Sequence, residues 1–193
     1  MREAFVPRTR AASFVPLATP AASYDGPLYR LATWLGTGAI AVPALGIARA
    51  AIDGLIELAA QKTPAYTQKT LRDRAVVHVQ LARAEAALGS ARAYLYGAFA
   101  DAWAHVVGGG TMTMERKGQL QLAATNAVHA AAEAVDLVHA AVGATGIRCE
   151  HAFQRHFRDV HVLTQHGFIC ASRYESVGRL LLGLDPEWSF FAF

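Results

Sequence analysis

Lysine is nearly absent from this chain, and charge of either sign is thin. Lysine stands only at positions 62, 69 and 117, and charged residues make up 17% of the 193, with a formal net charge of +3. Nucleic-acid binders cluster Lys and Arg along one face, and no basic run occurs here, so that partner class is excluded. Cysteine is equally scarce. Cys149 and Cys170 lie too far apart for a CxxC site, and two thiols cannot close a tetrahedral zinc site unaided. They read as buried, reduced thiols of a cytoplasmic protein. The histidines do not fill the gap. His151 and His156, like His156 and His161, are five residues apart, whereas two metal ligands share a helix face at the i, i+4 step. No metal site is expected.

Long uncharged runs are also few. Leu31 to Ala48 is uncharged, but it is rich in Gly and Ala, contains Pro43, and leads into Arg49, Asp53 and Glu57, which recur every four residues. That polar stripe marks an amphipathic helix, so no membrane partner is expected. The first twenty residues carry charges and three prolines where a signal peptide needs an apolar stretch.

What the chain does have is apolar character, at 53% hydrophobic residues, enough for one domain with a real core. Residues 1–27 read as an extended lead-in, because Phe5-Val6-Pro7, Phe14-Val15-Pro16, Pro20, Tyr24-Asp25-Gly26 and Pro27 prevent an early helix. Residues 28–193 then read as helices. The first is expected from Leu28 to Gln61 with a bend at Pro43, and the second from Thr70 to Val107, stopped by Gly108-Gly109-Gly110. The third runs from Thr113, as cap, to Val142, followed by a loop at Gly143-Ala144-Thr145-Gly146. Two shorter helices follow, Glu150 to Gln165 and Phe168 to Leu182, closed by Gly183 and Pro186. Three helices of some thirty residues, each about 45 Å long, suit an all-α, up-down four-helix bundle.

The chemistry concentrates in FQRHFRDVHVLTQHG, residues 153–167, which holds Arg155, His156, Arg158, Asp159, His161 and His166 in an otherwise alanine-rich chain. The stretch AAVGATGIRCEHAFQRHFRDVHVLTQHG, residues 140–167, resembles the C-terminal helical domain of the acyl-CoA dehydrogenase superfamily. REAFVP, residues 2–7, looks like the exit from that superfamily's β-domain, and YESVGRLLLGLDPEW, residues 174–188, looks like the close of its two-component, flavin-dependent monooxygenase branch.

The resemblance implies roles for particular residues. Laying Arg158-Asp159 on the superfamily's Arg-Asp pair puts His166 and Gly167 where the dehydrogenases have a tyrosine and the glutamate that takes the α-proton of a thioester. Glycine cannot abstract a proton. The implied function is therefore hydroxylation of an aromatic or phenolic substrate through a C4a-hydroperoxyflavin. His166 is the catalytic residue, able to take a phenolic proton or to stabilise the flavin–oxygen adduct. Arg155 and Arg158 are candidates for flavin phosphate, or for ion pairs with Asp159, Glu150 and bundle partners. Thr164 is a candidate flavin contact. Gly143 and Gly146 resemble the loop that meets the diphosphate of FAD from a neighbouring subunit, although Ala140 and Ala144 depart from that pattern, so FMN and FAD are both open.

The implied partners are a second copy of the chain, as a dimer or tetramer, a separate flavin reductase and a small aromatic substrate. Oxidation of a thioester and an inert helical assembly module are the alternative readings. The family's N-terminal domain and most of its β-domain have no counterpart here, so the chain by itself is expected to bind flavin poorly and lack turnover.

Overall fold

The structure, a computed structural model, describes residues 4–10, 26–31 and 33–192. Six α-helices occur among them: α1 (Pro27–Arg30), α2 (Trp34–Gln61), α3 (Ala75–Val107), α4 (Met114–Val142), α5 (Phe153–Thr164) and α6 (Ser172–Leu181). No strand is present among the described residues, and the molecule is an all-α bundle.

Local chemistry accounts for the helix that organises the rest. Thr113 Oγ1 accepts the N–H of Arg116 at 3.3 Å, Glu115 sits in the positive first turn, and Gly143 ends α4 at φ 59°. Between these ends Leu120, Ala124, Ala127, Val128, Ala131, Val135 and Val138 are fully buried at helical spacing. α4 packs against α2, α3, α5 and α6, while α2 and α3 meet each other much less. The fourth position of the bundle is filled by α5 and α6 in succession. The long helices have 28, 33 and 29 residues, so each spans about 42–50 Å, as expected.

A second core closes one end. Leu31, Trp34, Ala102, Val106, Leu120, Val177, Phe190 and Phe191 form it, and the fully buried Trp34 ring meets Phe190 and Phe191 edge to face at 5.0 and 5.1 Å. Phe190 and Phe191 belong to a 3₁₀ turn, Ser189–Ala192, that folds back after Gly183 (φ 74°) ends α6. The helical pattern gave no sign of this return.

Several boundaries differ from the sequence reading. The helix expected from Leu28 to Gln61 is divided into α1 and α2, and α1 packs on α3, where Arg30 Nη1 donates to the Val106 carbonyl at 3.3 Å. Pro43 lies inside α2 without ending it. It and Ala39 are both exposed, so the carbonyl that Pro43 cannot satisfy faces water. α3 starts at Ala75, because Leu71–Asp73 form a 3₁₀ turn that buries Leu71 and in which Thr70 Oγ1 donates to Asp73 at 2.7 Å. Gly143–Ile147 is likewise a 3₁₀ turn, and α6 begins four residues later than expected.

Cys149 is exposed and Cys170 half-buried, which corrects the expectation of two buried thiols. α2 and the stretch Met114–Ile147 are long and apolar enough to cross a membrane by length and composition alone. In the bundle, α2 carries Arg49 on its surface, bonded to both carboxylate oxygens of Glu85 on α3 at 2.9 Å and to Asp53 at 3.0 Å. Of the lead-in, Phe5 to Pro7 are exposed and Arg8–Arg10 form one 3₁₀ turn. Phe14-Val15-Pro16, Pro20 and Tyr24-Asp25 lie outside the described residues.

Candidate active site

α5 ends at Thr164, and the chain reverses through residues 165–171 before α6. The reversal is tied by its own backbone, since the N–H groups of Ile169 and Cys170 both donate to the His166 carbonyl at 2.9 Å. His166 and Gly167 are exposed, and a side chain added at Gly167 would meet nothing within 4 Å. The His166 ring stacks on Phe168 with centroids 5.6 Å apart, and its Nδ1 accepts the N–H of Phe168 at 3.2 Å. Phe168 in turn packs on Phe190 at 4.7 Å and Trp188 at 5.9 Å. Thus an imidazole stands at the edge of an aromatic wall, where a planar aromatic partner could stack.

Two further groups shape this end. The Arg173 guanidinium lies 4.0 Å from the Trp188 ring centroid, and its Nη2 donates to Ser172 Oγ at 2.9 Å. Ser172 Oγ is 3.1 Å from Cys170 Sγ, and this hydrogen bond, helped by the charge of Arg173, holds the thiol below its ordinary range.

The other expected site residues are not gathered around His166. Thr164 is 7% exposed, its hydroxyl donates to the His161 carbonyl at 2.7 Å and accepts Gln165 Nε2 at 3.0 Å. It faces inward, opposite in character to the exposed His166. Arg155 and Arg158 are exposed on α5, and Arg158 pairs with its neighbour Asp159 at 3.2 Å. His161 is occupied elsewhere, with Nδ1 2.8 Å from the Phe157 carbonyl and Nε2 3.4 Å from Asp136.

Gly143 and Gly146 belong to a second place. Gly143 is exposed with open space around it, whereas Gly146 is buried and a Cβ there would come within 3.0 Å of His139 and Val142. Gly146 serves close packing, and Gly143 leaves its backbone open to approach. Beside them is a cleft of about 520 Å³ lined by Lys62, Arg74, Arg148 and His151 and by no carboxylate among the described residues. Lys62 Nζ donates to the Val142 carbonyl at 2.7 Å and to Thr145 Oγ1, which fastens the glycine turn to α2. Burial, with the charge of Arg148 behind it, pushes the Lys62 ammonium below the usual lysine value. This cleft lies at the far end of α4 from the His166 turn, which is anchored near Gln121. Along the helix axis the separation is about 30 Å.

Residues 38–170 match the family described as acyl-CoA dehydrogenase, C-terminal domain. The chain belongs to that family. Within the acyl-CoA dehydrogenase family its similarity falls in the monooxygenase branch. It is 36% identical over 163 residues to an indole-3-acetate monooxygenase of Pseudomonas putida, covering 84% of this chain and 42% of that protein. It is 31% identical over 150 residues to the oxygenase component of p-hydroxyphenylacetate 3-hydroxylase of Acinetobacter baumannii, covering 74% and 34%. Among solved structures, XiaF from a Streptomyces species, in complex with FADH2 and glycerol, shares the fold at a TM-score of 0.86 and 22% identity, over 97% of this chain and 49% of that one. The 3-HSA hydroxylase of Rhodococcus sp. RHA1 has a TM-score of 0.74 at 25% identity, over 82% and 41%. The chain spans less than half the length of these relatives.

The residues present fit a flavin in two respects. The basic cleft beside Gly143, where Arg148 also lies 3.6 Å from Glu150 at the surface, has the donor chemistry that a phosphate or diphosphate needs, and the exposed His166–Phe168 surface suits a planar ring system. The sequence reading missed Lys62, Arg74 and Arg148, which come together only through folding. It also missed Gln121, fully buried, whose amide donates to the Phe168 carbonyl at 2.7 Å and to Thr125 Oγ1 at 2.9 Å. A polar pair at i, i+4 inside an alanine-rich helix was the available signal.

Proposed function

We propose that this domain serves a flavin-dependent monooxygenase that hydroxylates a small aromatic or phenolic substrate, with reduced flavin delivered by a separate reductase. The observation that carries the reading is the turn at His166 and Gly167, which offers an exposed imidazole where the resemblance gives a thioester-oxidising relative a tyrosine, and a glycine where it gives that relative its carboxylate base. Identity to the indole-3-acetate and p-hydroxyphenylacetate enzymes supports an aromatic substrate. Bound flavin would supply the electrons that activate dioxygen, by the flavin–oxygen route that the resemblance implies.

The chain's own residues would divide the work. His166 meets the reacting end, and Phe168 backs the imidazole with an apolar surface. Lys62, Arg74, Arg148 and His151 would hold phosphate at the other end, and the breadth of that basic lining favours the diphosphate of FAD over the single phosphate of FMN. The two places lie too far apart along α4 to share one cofactor within a chain. Each cofactor would then be completed by a second copy, so the protein would work as a homo-oligomer, in the cytoplasm.

The test takes this domain in one polypeptide with the N-terminal and β domains of its family, supplies a flavin reductase, NADH and a panel of indole and phenol acids, and measures oxygen uptake and products. A product one oxygen atom heavier than its substrate is expected. Reduction of bound flavin by an acyl-CoA, without aromatic oxygenation, would replace this reading with thioester oxidation. Neither activity in a stable oligomer would leave the assembly module.

A further inference from the structure

Two consecutive hydrogen bonds decide which nitrogen of His166 is free. Gln121 Nε2, buried on α4, donates to the carbonyl oxygen of Phe168 at 2.7 Å, and the Phe168 ring is held edge-on by Phe190 and Trp188. The Phe168 residue is therefore fixed at both its carbonyl and its side chain. Its own N–H lies 3.2 Å from His166 Nδ1. A backbone N–H can only donate, so Nδ1 must be the acceptor, and in the neutral imidazole the proton resides on Nε2. His161 presents the opposite case five residues earlier. Its Nδ1 faces the Phe157 carbonyl at 2.8 Å and its Nε2 the Asp136 carboxylate at 3.4 Å, both acceptors, and the shorter contact favours the proton on Nδ1 in the neutral ring.

We propose that Gln121, acting through the backbone of Phe168, whose carbonyl it binds and whose N–H meets the imidazole, is a positioning residue that holds His166 as an Nε2–H hydrogen-bond donor rather than a proton acceptor. A proton could enter the ring only at Nδ1, and only by displacing the Phe168 N–H. The group that His166 meets is then an electron-rich acceptor, such as an anionic oxygen, and an undissociated phenol does not lose its proton to it. What fills that acceptor role rests on the monooxygenase reading above; the tautomer does not.

The experiment is a two-bond ¹H–¹⁵N correlation spectrum of the imidazoles in this chain, above the histidine titration, assigned with His166→Asn and His161→Asn. Opposite patterns are expected, Nε2–H for His166 and Nδ1–H for His161. In Gln121→Leu and Gln121→Met, with helix content unchanged by circular dichroism, the His166 pattern should shift toward a mixture. Hydrogen-exchange protection of the Phe168 amide should fall about 2- to 10-fold, the range for one ordinary hydrogen bond. If neither variant folds, Thr125→Val, which keeps the side-chain volume and frees the Gln121 amide, should move the same two readouts in the same direction. An Nδ1–H His166 in the unaltered chain, or unchanged tautomer and exchange in the folded variants, overturns the proposal. Failure of the hydroxylation assay with the tautomer as stated would count against the proposed function alone.

Discussion

Gln121 and Phe168, 47 residues apart, are joined by a 2.7 Å hydrogen bond from a fully buried side-chain amide to a backbone carbonyl. This contact fastens the turn that carries His166 to the most buried helix of the bundle. Its energetic weight follows from burial, because a carbonyl deprived of its donor there has poor access to water. Gln121→Leu should lower the unfolding free energy of the chain by about 1–3 kcal/mol. Urea denaturation followed at 222 nm checks this; an unchanged midpoint and slope would show that water replaces the amide without cost.

The Gly143 backbone has φ 59° and ψ −139°, a conformation that residues with a Cβ rarely adopt. Gly143→Ala should cost on the order of 1–3 kcal/mol although the space around it is open. Gly146→Ala tests a different physics, since its backbone is ordinary and the obstacle is contact with His139 and Val142 at 3.0 Å. Thermal unfolding of the two variants should separate them in one respect. A His139→Ala background should relieve Gly146→Ala and leave the Gly143→Ala cost in place.

His156 supplies a pH dependence. Burial, with the neighbouring charge of Arg155, lowers its pKa below 6.5 despite the opposing Asp159, and its Nδ1 is buried without a hydrogen-bond partner in the structure. A folded-state pKa below the unfolded value means that the unfolded chain binds protons first as pH falls. The stability His156 contributes is therefore fully present above pH 6.5 and is lost as pH drops through the folded pKa. His156→Gln should flatten this part of the stability profile, most visibly below about pH 6. Parallel urea curves across that range, with superimposable slopes for the variant and the original, would refute the assignment.

The cap at Thr113 gives a simpler case. Its hydroxyl satisfies the Arg116 N–H at the start of α4, so Thr113→Ala should cost about 1 kcal/mol and Thr113→Ser much less. Denaturant midpoints that fail to distinguish Ala from Ser would show that water serves this end equally well.

For the proposed hydroxylation, measured with the family's N-terminal and β domains present in the same polypeptide, His166→Ala should reduce the rate by about 10²–10³-fold, the cost of removing one aimed donor, and divert reduced flavin toward hydrogen peroxide. His166→Gln, whose amide can donate from a position near that of Nε2, should recover more of the coupling than His166→Asn. Equal rates and unchanged peroxide release in His166→Ala would remove the residue from the reaction.

The sequence by itself determined what short-range chemistry controls. Periodic apolar residues and the end signals at Thr113, Gly108 and Gly143 located the three long helices to within six residues, Gly183 marked the end of α6, and FQRHFRDVHVLTQHG marked the region of the candidate site. The same local logic missed where the chain folds on itself. Tertiary structure alone turned Thr164 inward, left Gly143 open but buried Gly146, and gathered Lys62, Arg74, Arg148 and His151 around one cleft. It also brought Phe190 and Phe191 back onto Trp34 and set Gln121 against Phe168. Caps and periodicity act between residues a turn apart, whereas these contacts join residues tens of positions apart. Which of many alanine faces meet is decided only when the whole bundle packs.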